Sequence, residues 1–220
     1  DKGIFVFEVP YLIDLIQKLE FDTIYHEHLS YFSLMPLMKL MEEFNLQIFD
    51  VKKQKVHGGT IRVFVSQKNN FKNTINLQKL IKLEKEFGID KIKTYQKLSE
   101  NVKELKNQLQ NKLLEFKKNG KTIFGYGAPA KGNVLLNYCN IGSQFLDYIV
   151  DTTPLKQGLY SPGMHILVKS NIQDTEKSSE QVALLLAWNY EQAIINKEVE
   201  FLKNGGKFLV PIPIPKIISK

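Results

Sequence analysis

A glycine-rich turn between a short strand and a helix constrains the fold of this chain more than any other feature. Residues 122–124 suit a buried strand, and the turn at 125–132, GYGAPAKG, leads directly into an apolar helix. A second strand-like run, FLDYIVD, ends at Asp151, and a third, VALLLAW, begins at Val182. A helix is expected at 191–202 and a last strand at 207–211. Strands that alternate with helices in this way predict a small parallel sheet, here over residues 121–220.

The same turn predicts a binding site for a phosphate group. A strand, a glycine turn and a helix in this order point backbone N–H groups at an anion, and a lysine adds positive charge at the helix start. Asp151, the acid at the end of the next strand, lies at about the distance in sequence from the turn that is expected for a residue that binds the ribose of a nucleotide. The alternative is a turn that needs glycine only for close packing. The residues assigned to this site are Gly125, Tyr126, Gly127, Ala128, Lys131 and Asp151, and Lys156 and Tyr160 of the following loop are expected to line the pocket.

The first third of the chain has the pattern of the end of an open α/β sheet. Residues 3–9, GIFVFEV, predict a strand buried on both faces, and helices are expected at 10–19 and 35–44. Two further strands, 46–54 and 60–67, flank the sequence VHGG and predict an antiparallel hairpin. Because the chain starts without an initiator methionine or a lead-in, we expect it to be a fragment of a longer protein.

Residues 68–120 predict a helical connector, with one helix ending at Gly88 and a longer one ending at Gly120. The stretch from Lys68 to Lys121 holds 14 lysines and 6 acids and accounts for the net charge of +7. Its lysines alternate with acids and lack interleaved aromatic residues, so a solvated helix surface is favoured over a nucleic-acid site. Arg62, the single arginine, is a candidate clamp for a phosphate or carboxylate.

Cysteine content and hydropathy indicate the compartment. Cys139 is the single cysteine, which excludes an internal disulfide and is typical of a reducing cytoplasm, and it is expected to be a buried apolar residue on a helix. No apolar run has the length of a membrane span and no signal peptide is evident. We therefore expect a cytoplasmic protein with neither membrane nor nucleic acid as a partner.

The segment Phe21–Ser33, FDTIYHEHLSYFS, concentrates the chemistry of the N-terminal part. Tyr25, His26, Glu27 and His28 bring a phenol, two imidazoles and a carboxylate into four residues. If the segment is extended, odd and even positions face opposite sides. The alternatives are an aromatic-rich loop end and a metal site in which His26 and His28 are joined by His57 or Glu27.

Five motifs together are similar to a known family: FEVPYL, FDTIYHEHLSYFS, HGGTIRVFV, GYGAPAKGN and DTTPLKQGLYSPGMHI. They resemble the C-terminal portion of S-adenosylmethionine-dependent sugar C-methyltransferases, enzymes that methylate a carbon of a nucleotide-linked keto-deoxy sugar. The resemblance spans almost the whole chain. It implies an α/β fold: the end of a Rossmann-like methyltransferase sheet (1–67), a helical connector (68–120) and a second Rossmann-like parallel-sheet domain that binds the nucleotide sugar (121–220).

The resemblance also implies roles for residues. His28 matches the family's catalytic histidine and is expected to remove the proton beside the ketone, and Tyr25 and Glu27 match neighbouring active-site positions. His26 is assigned no role beyond a structural one. The residues expected to line the substrate side are His57, Gly58, Gly59 and Arg62.

The resemblance implies that S-adenosylmethionine and zinc are held upstream, in a donor loop and a zinc domain that this chain lacks. The chain alone is then expected to be inactive. Two other readings remain open, a nicotinamide-dependent oxidoreductase that uses the glycine turn and Asp151, and a nucleotide-sugar-binding module without catalysis.

Overall fold

The computed structural model describes residues 3–54, 58–172 and 181–220. The chain forms two compact units. The first comprises Asp1–Glu20 and His28–Glu100, and the second comprises Phe21–Glu27 and Asn101–Lys220. The predicted division at residues 67 and 120 stays a prediction. In the described residues, no helix is long and apolar enough to cross a membrane.

The first unit contains a three-stranded antiparallel sheet. Its strands are β1 (Ile4–Pro10), β2 (Leu46–Gln54) and β3 (Thr60–Gln67), in the order β1-β3-β2. The predicted bounds of β2 and β3 are confirmed. The sheet carries the helices α1 (Leu12–Gln17), α2 (Leu34–Glu43) and α3 (Ile75–Phe87). Alternate β3 residues, Ile61, Val63 and Val65, are fully buried in the core with residues of α1, α2 and α3, as the two-residue period of a strand requires.

The prediction that β1 is buried on both faces is wrong. Ile4, Phe5 and Val6 are each about half exposed, at 49%, 57% and 45%. Among the described residues β1 pairs with β3 alone, so it is an edge strand of this sheet. A continuous apolar run does not distinguish an edge strand from a central one, because both use the same residue types.

The helical middle of the chain agrees with the predicted pattern. α3 ends at Phe87, and Gly88 directly after it has the left-handed backbone expected at that position (φ 71°). α4 (Ile92–Lys118) follows and is 27 residues long. Its buried side chains recur every three or four residues, as in an amphipathic helix: Val102, Leu105, Leu109 and Leu113.

The second unit contains a six-stranded, mostly parallel sheet. Its strands are β4 (Thr122–Tyr126), β5 (Ile149–Val150), β6 (Val168–Lys169), β7 (Gln181–Leu185), β8 (Lys207–Val210) and β9 (Lys216–Ile218). The order is β6-β5-β4-β7-β8-β9, and only β9 is antiparallel to its neighbour. The helices are α5 (Ala130–Tyr138), α6 (Glu191–Lys197) and α7 (Val199–Lys203).

Three details of this sheet differ from the predicted pattern. β5 covers two residues of the predicted seven, and β6 and β9 have no counterpart in the predicted strands. The single helix expected at 191–202 is interrupted at Glu198, whose backbone is not helical (ψ 35°) and whose carboxylate accepts a hydrogen bond from Tyr126. Short strands at sheet edges and such a tertiary contact leave little signal in local sequence.

The strand order defines where a ligand would approach the second unit. From β4 the chain continues to β5 on one side, and later returns to β7 on the other side of β4. Ligands of open α/β sheets bind outside the carboxyl ends of the strands at such a point of reversal. The turn after β4 and the residues after β7 lie at this edge.

Candidate functional site

The glycine turn after β4 packs closely against the residues that follow β7. A Cβ on Gly127, where φ is 85°, would lie 2.9 Å from the Cβ of Ala187. A Cβ on Gly132 would lie 3.1 Å from the Cβ of Leu186. Both glycines therefore have a packing role, as the alternative interpretation of the turn required. A phosphate site at the start of α5 is compatible with this packing, because the first amides of a helix have no intrahelical partner.

Asp151 and Lys156 hold this turn in place. The Asp151 carboxylate accepts hydrogen bonds from the amides of Ala128 (2.7 Å) and Thr153 (2.8 Å), and Lys156 Nζ donates to the Ala128 carbonyl (2.9 Å). Burial opposes ionisation of Asp151, but the hydrogen bonds from Thr153 and Ala128 and the charge of Lys156 hold its pKa below the ordinary value. Both Asp151 oxygens and both polar groups of the Ala128 backbone thus have partners within the chain.

The two tyrosines assigned to the substrate side lie in different surroundings. Tyr126 is buried, and its hydroxyl donates to Glu198 Oε1 at 2.6 Å. Burial and this carboxylate raise the Tyr126 pKa, so the phenol is a fixed neutral donor in the core. Tyr160 is 62% exposed in the loop after β5. Of these two side chains, Tyr160 is the one accessible to a ligand.

Lys131, Trp188 and Asp22 form a cluster at the carboxyl edge of the sheet. Lys131 Nζ lies 4.5 Å from the centre of the Trp188 ring, a cation–π distance. Trp188 Nε1 donates a hydrogen bond of 2.6 Å to Asp22 Oδ2. Burial raises the pKa of Asp22 to about 6, and the Trp188 hydrogen bond and the Lys131 charge offset only part of this effect.

Sequence reasoning missed Asp22 and Trp188. Trp188 is the only tryptophan and lies shortly after a buried strand, and Asp22 lies in the segment that carries the candidate catalytic residues. Both signals were present in the sequence. Their pairing could not be inferred, because 166 residues separate them.

The segment with the candidate catalytic residues is a turn, so the odd-even alternation of an extended strand does not apply to it. Phe21–Thr23 forms one turn of 3-10 helix, and Phe21 packs against Tyr138 of α5 with ring centres 5.0 Å apart. Tyr25 is half-buried, with its ring 6.2 Å from that of His26. The exposed side chains of the segment include His26, Glu27 and His28. Residues up to Glu27 belong to the second unit and His28 to the first.

In the first unit, the single arginine is paired within the sheet. Arg62 and Glu8 are opposite each other on β3 and β1. Arg62 Nε donates to Glu8 Oε1 at 2.6 Å, and Nη2 lies 2.5 Å from the same oxygen. The predicted carboxylate clamp thus holds a carboxylate of its own chain. Both side chains remain partly exposed.

The glycines between β2 and β3 lie against two buried carboxylates. A Cβ on Gly58 would overlap Glu20 Oε1, and one on Gly59 would overlap Asp14 Oδ2. Lys18 donates to the Gly58 carbonyl, and the Gly59 carbonyl accepts from the Tyr11 amide. This close approach fixes the turn on α1. His57, the other residue predicted here, lies outside the described residues.

The described residues do not fit a metal site. Among them, no three histidine, cysteine or acidic side chains are grouped so as to hold a metal ion, and this applies to His26, Glu27 and His28. The predicted metal site that includes His57 lies partly outside the described residues, because His57 is not among them. Cys139 is buried at the end of α5, where burial raises its thiol pKa to about 12. As predicted, it is a buried apolar residue, and it offers no thiolate to zinc.

Comparison with known proteins relates the chain to a family of C-methyltransferase domains and to a curated C-methyltransferase. The family model described as "C-methyltransferase C-terminal domain" matches residues 55–213. The chain is 41% identical over 218 residues to "C-methyltransferase NovU" of Streptomyces niveus. The match covers 99% of this chain and 52% of that protein, so the chain spans about half the length of this relative.

Proposed function

The chain belongs to the C-methyltransferase C-terminal domain family, and from this premise we propose that it is the C-terminal part of an S-adenosylmethionine-dependent enzyme that methylates a carbon of a nucleotide-linked keto-deoxy sugar. The resemblance of its motifs to C-methyltransferases is confirmed by the match over residues 55–213 and by 41% identity to a C-methyltransferase. That match is the observation that carries the proposal.

We assign the proton transfer to His28. Methylation beside a ketone requires removal of the proton on that carbon, which leaves an enolate with its electron pair shared between carbon and oxygen. An imidazole titrates near neutral pH and suits this task. The side chain of His28 is exposed, which supports access by a substrate. S-adenosylmethionine supplies the methyl group when bound, and we assign its binding to no residue of the described chain.

Tyr25 and Glu27 complete the proposed site. A phenol can donate a hydrogen bond to the enolate oxygen, and a carboxylate can accept hydrogen bonds from sugar hydroxyls or orient the imidazole. Tyr25 is half-buried and Glu27 exposed, which suits a fixed donor and an accessible acceptor. Their position in one turn next to His28 in sequence supports a shared role.

We further propose that the second unit holds the nucleotide part of the substrate in a Rossmann-like manner. Its strand order, with reversal at β4, supports this assignment. Lys131 at the start of α5 and Lys156 in the neighbouring loop provide positive charge for a diphosphate. Arg62 and Gly58 have partners in the first unit and are assigned to the substrate side on resemblance alone.

A nicotinamide-dependent oxidoreductase is disfavoured. Such an enzyme would use the acid after the second strand to bind the ribose hydroxyls. The Asp151 carboxylate already accepts hydrogen bonds from Ala128 and Thr153. For the 220-residue chain by itself we propose binding of a nucleotide sugar without methyl transfer.

The test uses the longer protein with a matched pair of variants, His28→Asn and His26→Asn. We expect His28→Asn to lower methyl transfer by about 10²- to 10⁴-fold, the range for removal of a general base. Binding of S-adenosylmethionine, measured by calorimetry, should be unchanged. His26→Asn should retain activity within a few fold. Undiminished transfer in His28→Asn would remove this histidine from the mechanism.

A further inference from the structure

Asp22 is a buried carboxylate that no step of the proposed mechanism uses. It is 0% exposed. Its Oδ2 accepts the Trp188 hydrogen bond at 2.6 Å, and within the described chain its Oδ1 has no hydrogen-bond partner. An ionised carboxylate in this position is costly, because burial removes water and one oxygen gains no partner in return. A turn that served only to connect two helices would be more stable with an apolar residue here.

The position of Asp22 in the chain indicates what the buried carboxylate does. Residues 21–27 belong to the second unit, whereas the residues before and after them, 1–20 and 28–100, belong to the first. Within 21–27, the Asp22–Trp188 hydrogen bond and the Phe21–Tyr138 ring contact join the turn to the second unit. Asp22 lies three residues from Tyr25 and five from Glu27. Fixing its carboxylate therefore limits where these two side chains can go.

We infer that Asp22 is a positioning residue, whose hydrogen bond to Trp188 holds the turn bearing Tyr25 and Glu27 at the carboxyl edge of the parallel sheet. Lys131 links this hydrogen bond to the proposed phosphate site, because it stacks on the same indole ring at the start of α5. A diphosphate held at Lys131 would then lie beside the group that fixes the catalytic turn. The inference rests on the proposed function, since Tyr25 and Glu27 matter to it only as active-site residues.

The groups around Asp22 allow its titration to be followed separately. Lys131 and Cys139 of α5 face it electrostatically, and Trp188 binds it. Lys106 of α4 lies over Tyr138, against which Phe21 packs, and His26 is the titratable neighbour on the same turn. The raised Asp22 pKa, about 6, separates its titration from that of the Cys139 thiol, whose pKa burial raises to about 12.

The first experiment measures order in the turn, using the 220-residue chain and hydrogen exchange of a peptide covering residues 21–27. We expect exchange about ten-fold faster in both Asp22→Ala and Trp188→Phe, because each removes the hydrogen bond. Asp22→Asn keeps an acceptor oxygen and should show a smaller increase. Glu200→Gln, an exposed carboxylate paired with Lys203, should show none. Unchanged exchange in the first two variants overturns the inference.

The second experiment uses Trp188 as a reporter, since it is the only tryptophan. Its emission should change with pH with a midpoint near 6, as the carboxylate bonded to the indole gains its proton. The transition should disappear in Asp22→Asn and persist in His26→Gln. A transition that survives in Asp22→Asn would show that another group controls the indole, and would overturn the inference.

The third experiment measures methyl transfer in the longer protein. A misplaced catalytic turn should lower kcat by about 10- to 100-fold in Asp22→Ala with little change in KM, and Asp22→Asn should recover part of the loss. Faster exchange with unaltered kcat would overturn the positioning role. A parent protein that transfers no methyl group would overturn the proposed function instead, whereas the exchange and emission results would still decide whether Asp22 holds the turn.

Discussion

At the residue scale, several side chains that sequence motifs assign to a ligand form hydrogen bonds within the chain. Asp151 is at the expected distance from the glycine turn, yet its carboxylate accepts hydrogen bonds from Ala128 and Thr153. Arg62 holds Glu8, and Tyr126 holds Glu198. Motif spacing thus locates the turn, but it does not distinguish a side chain that is available to a ligand from one that fixes the backbone of the turn.

The raised pKa of the buried Asp22 predicts that its contribution to stability decreases as the pH rises. An acid whose pKa is lowered by folding shows the opposite dependence. Burial raises its pKa from 3.8 to about 6, so between these values the folded chain binds more protons than the unfolded chain. Its contribution to stability is therefore fully present below pH 3.8 and is lost as the pH rises through about 6. A shift of this size corresponds to about 3 kcal/mol when complete.

We expect Asp22→Asn to remove this pH dependence. The free energy of unfolding of the variant, relative to the parent chain, should rise by about 2 kcal/mol between about pH 4 and about pH 7.5. Urea unfolding at several pH values measures this difference, and Glu200→Gln serves as the exposed control. A variant that loses stability relative to the parent as the pH rises would contradict the raised pKa.

At the element scale, α2 is fixed by a carboxylate from another helix. Its N-cap residue, Ser33, makes no side-chain cap hydrogen bond. Glu84 of α3 is fully buried and accepts from the amides of Leu34 (2.5 Å) and Met35 (3.0 Å). A negative charge at a helix N-terminus is favoured by the helix dipole, and buried amides without partners are costly. Glu84 thus sets where α2 begins, directly after the segment that contains His28.

We expect Glu84→Gln to destabilise the first unit by about 2–4 kcal/mol, because the amide group offers one acceptor oxygen where two were used and lacks the charge. Hydrogen exchange at the amides of Leu34 and Met35 should accelerate accordingly. Glu86→Gln on the same helix loses only an exposed pair with Lys82 and should change stability by less than about 0.5 kcal/mol. Equal effects of the two substitutions would refute this capping role.

The elements differ in how well sequence predicts them, and the physical reasons can be named. β2 and β3 agree with prediction because Asn45 and the glycines of the connecting turn mark their ends and their apolar residues follow a clear period. β1 was wrongly taken as buried, since its position at the edge depends on its partners and not on its own residues. The Asp22–Trp188 pair was missed for the same reason: it joins elements far apart in sequence.

At the scale of the whole molecule, the net charge of +7 and an isoelectric point of about 9.2 invite a nucleic-acid partner. Most of the lysines responsible lie on α3 and α4 and are interspersed with acids. Lys82 pairs with Glu86 one helical turn away, and Lys117 pairs with Asp147. An interspersed surface of this kind does not present the continuous positive track that replaces the counterions of DNA.

We therefore expect binding of the 220-residue chain to a short DNA duplex to be weaker than about 10⁻⁴ M at about 150 mM salt, measured by fluorescence anisotropy. In this explanation the exposed acids between the lysines, and not a shortage of lysines, weaken binding to DNA. Replacing Glu86, Glu100 and Glu104 with glutamine should then produce binding that falls steeply with salt. Tight, salt-dependent binding by the parent chain would contradict the argument, because it would require a phosphate track that coexists with these acids.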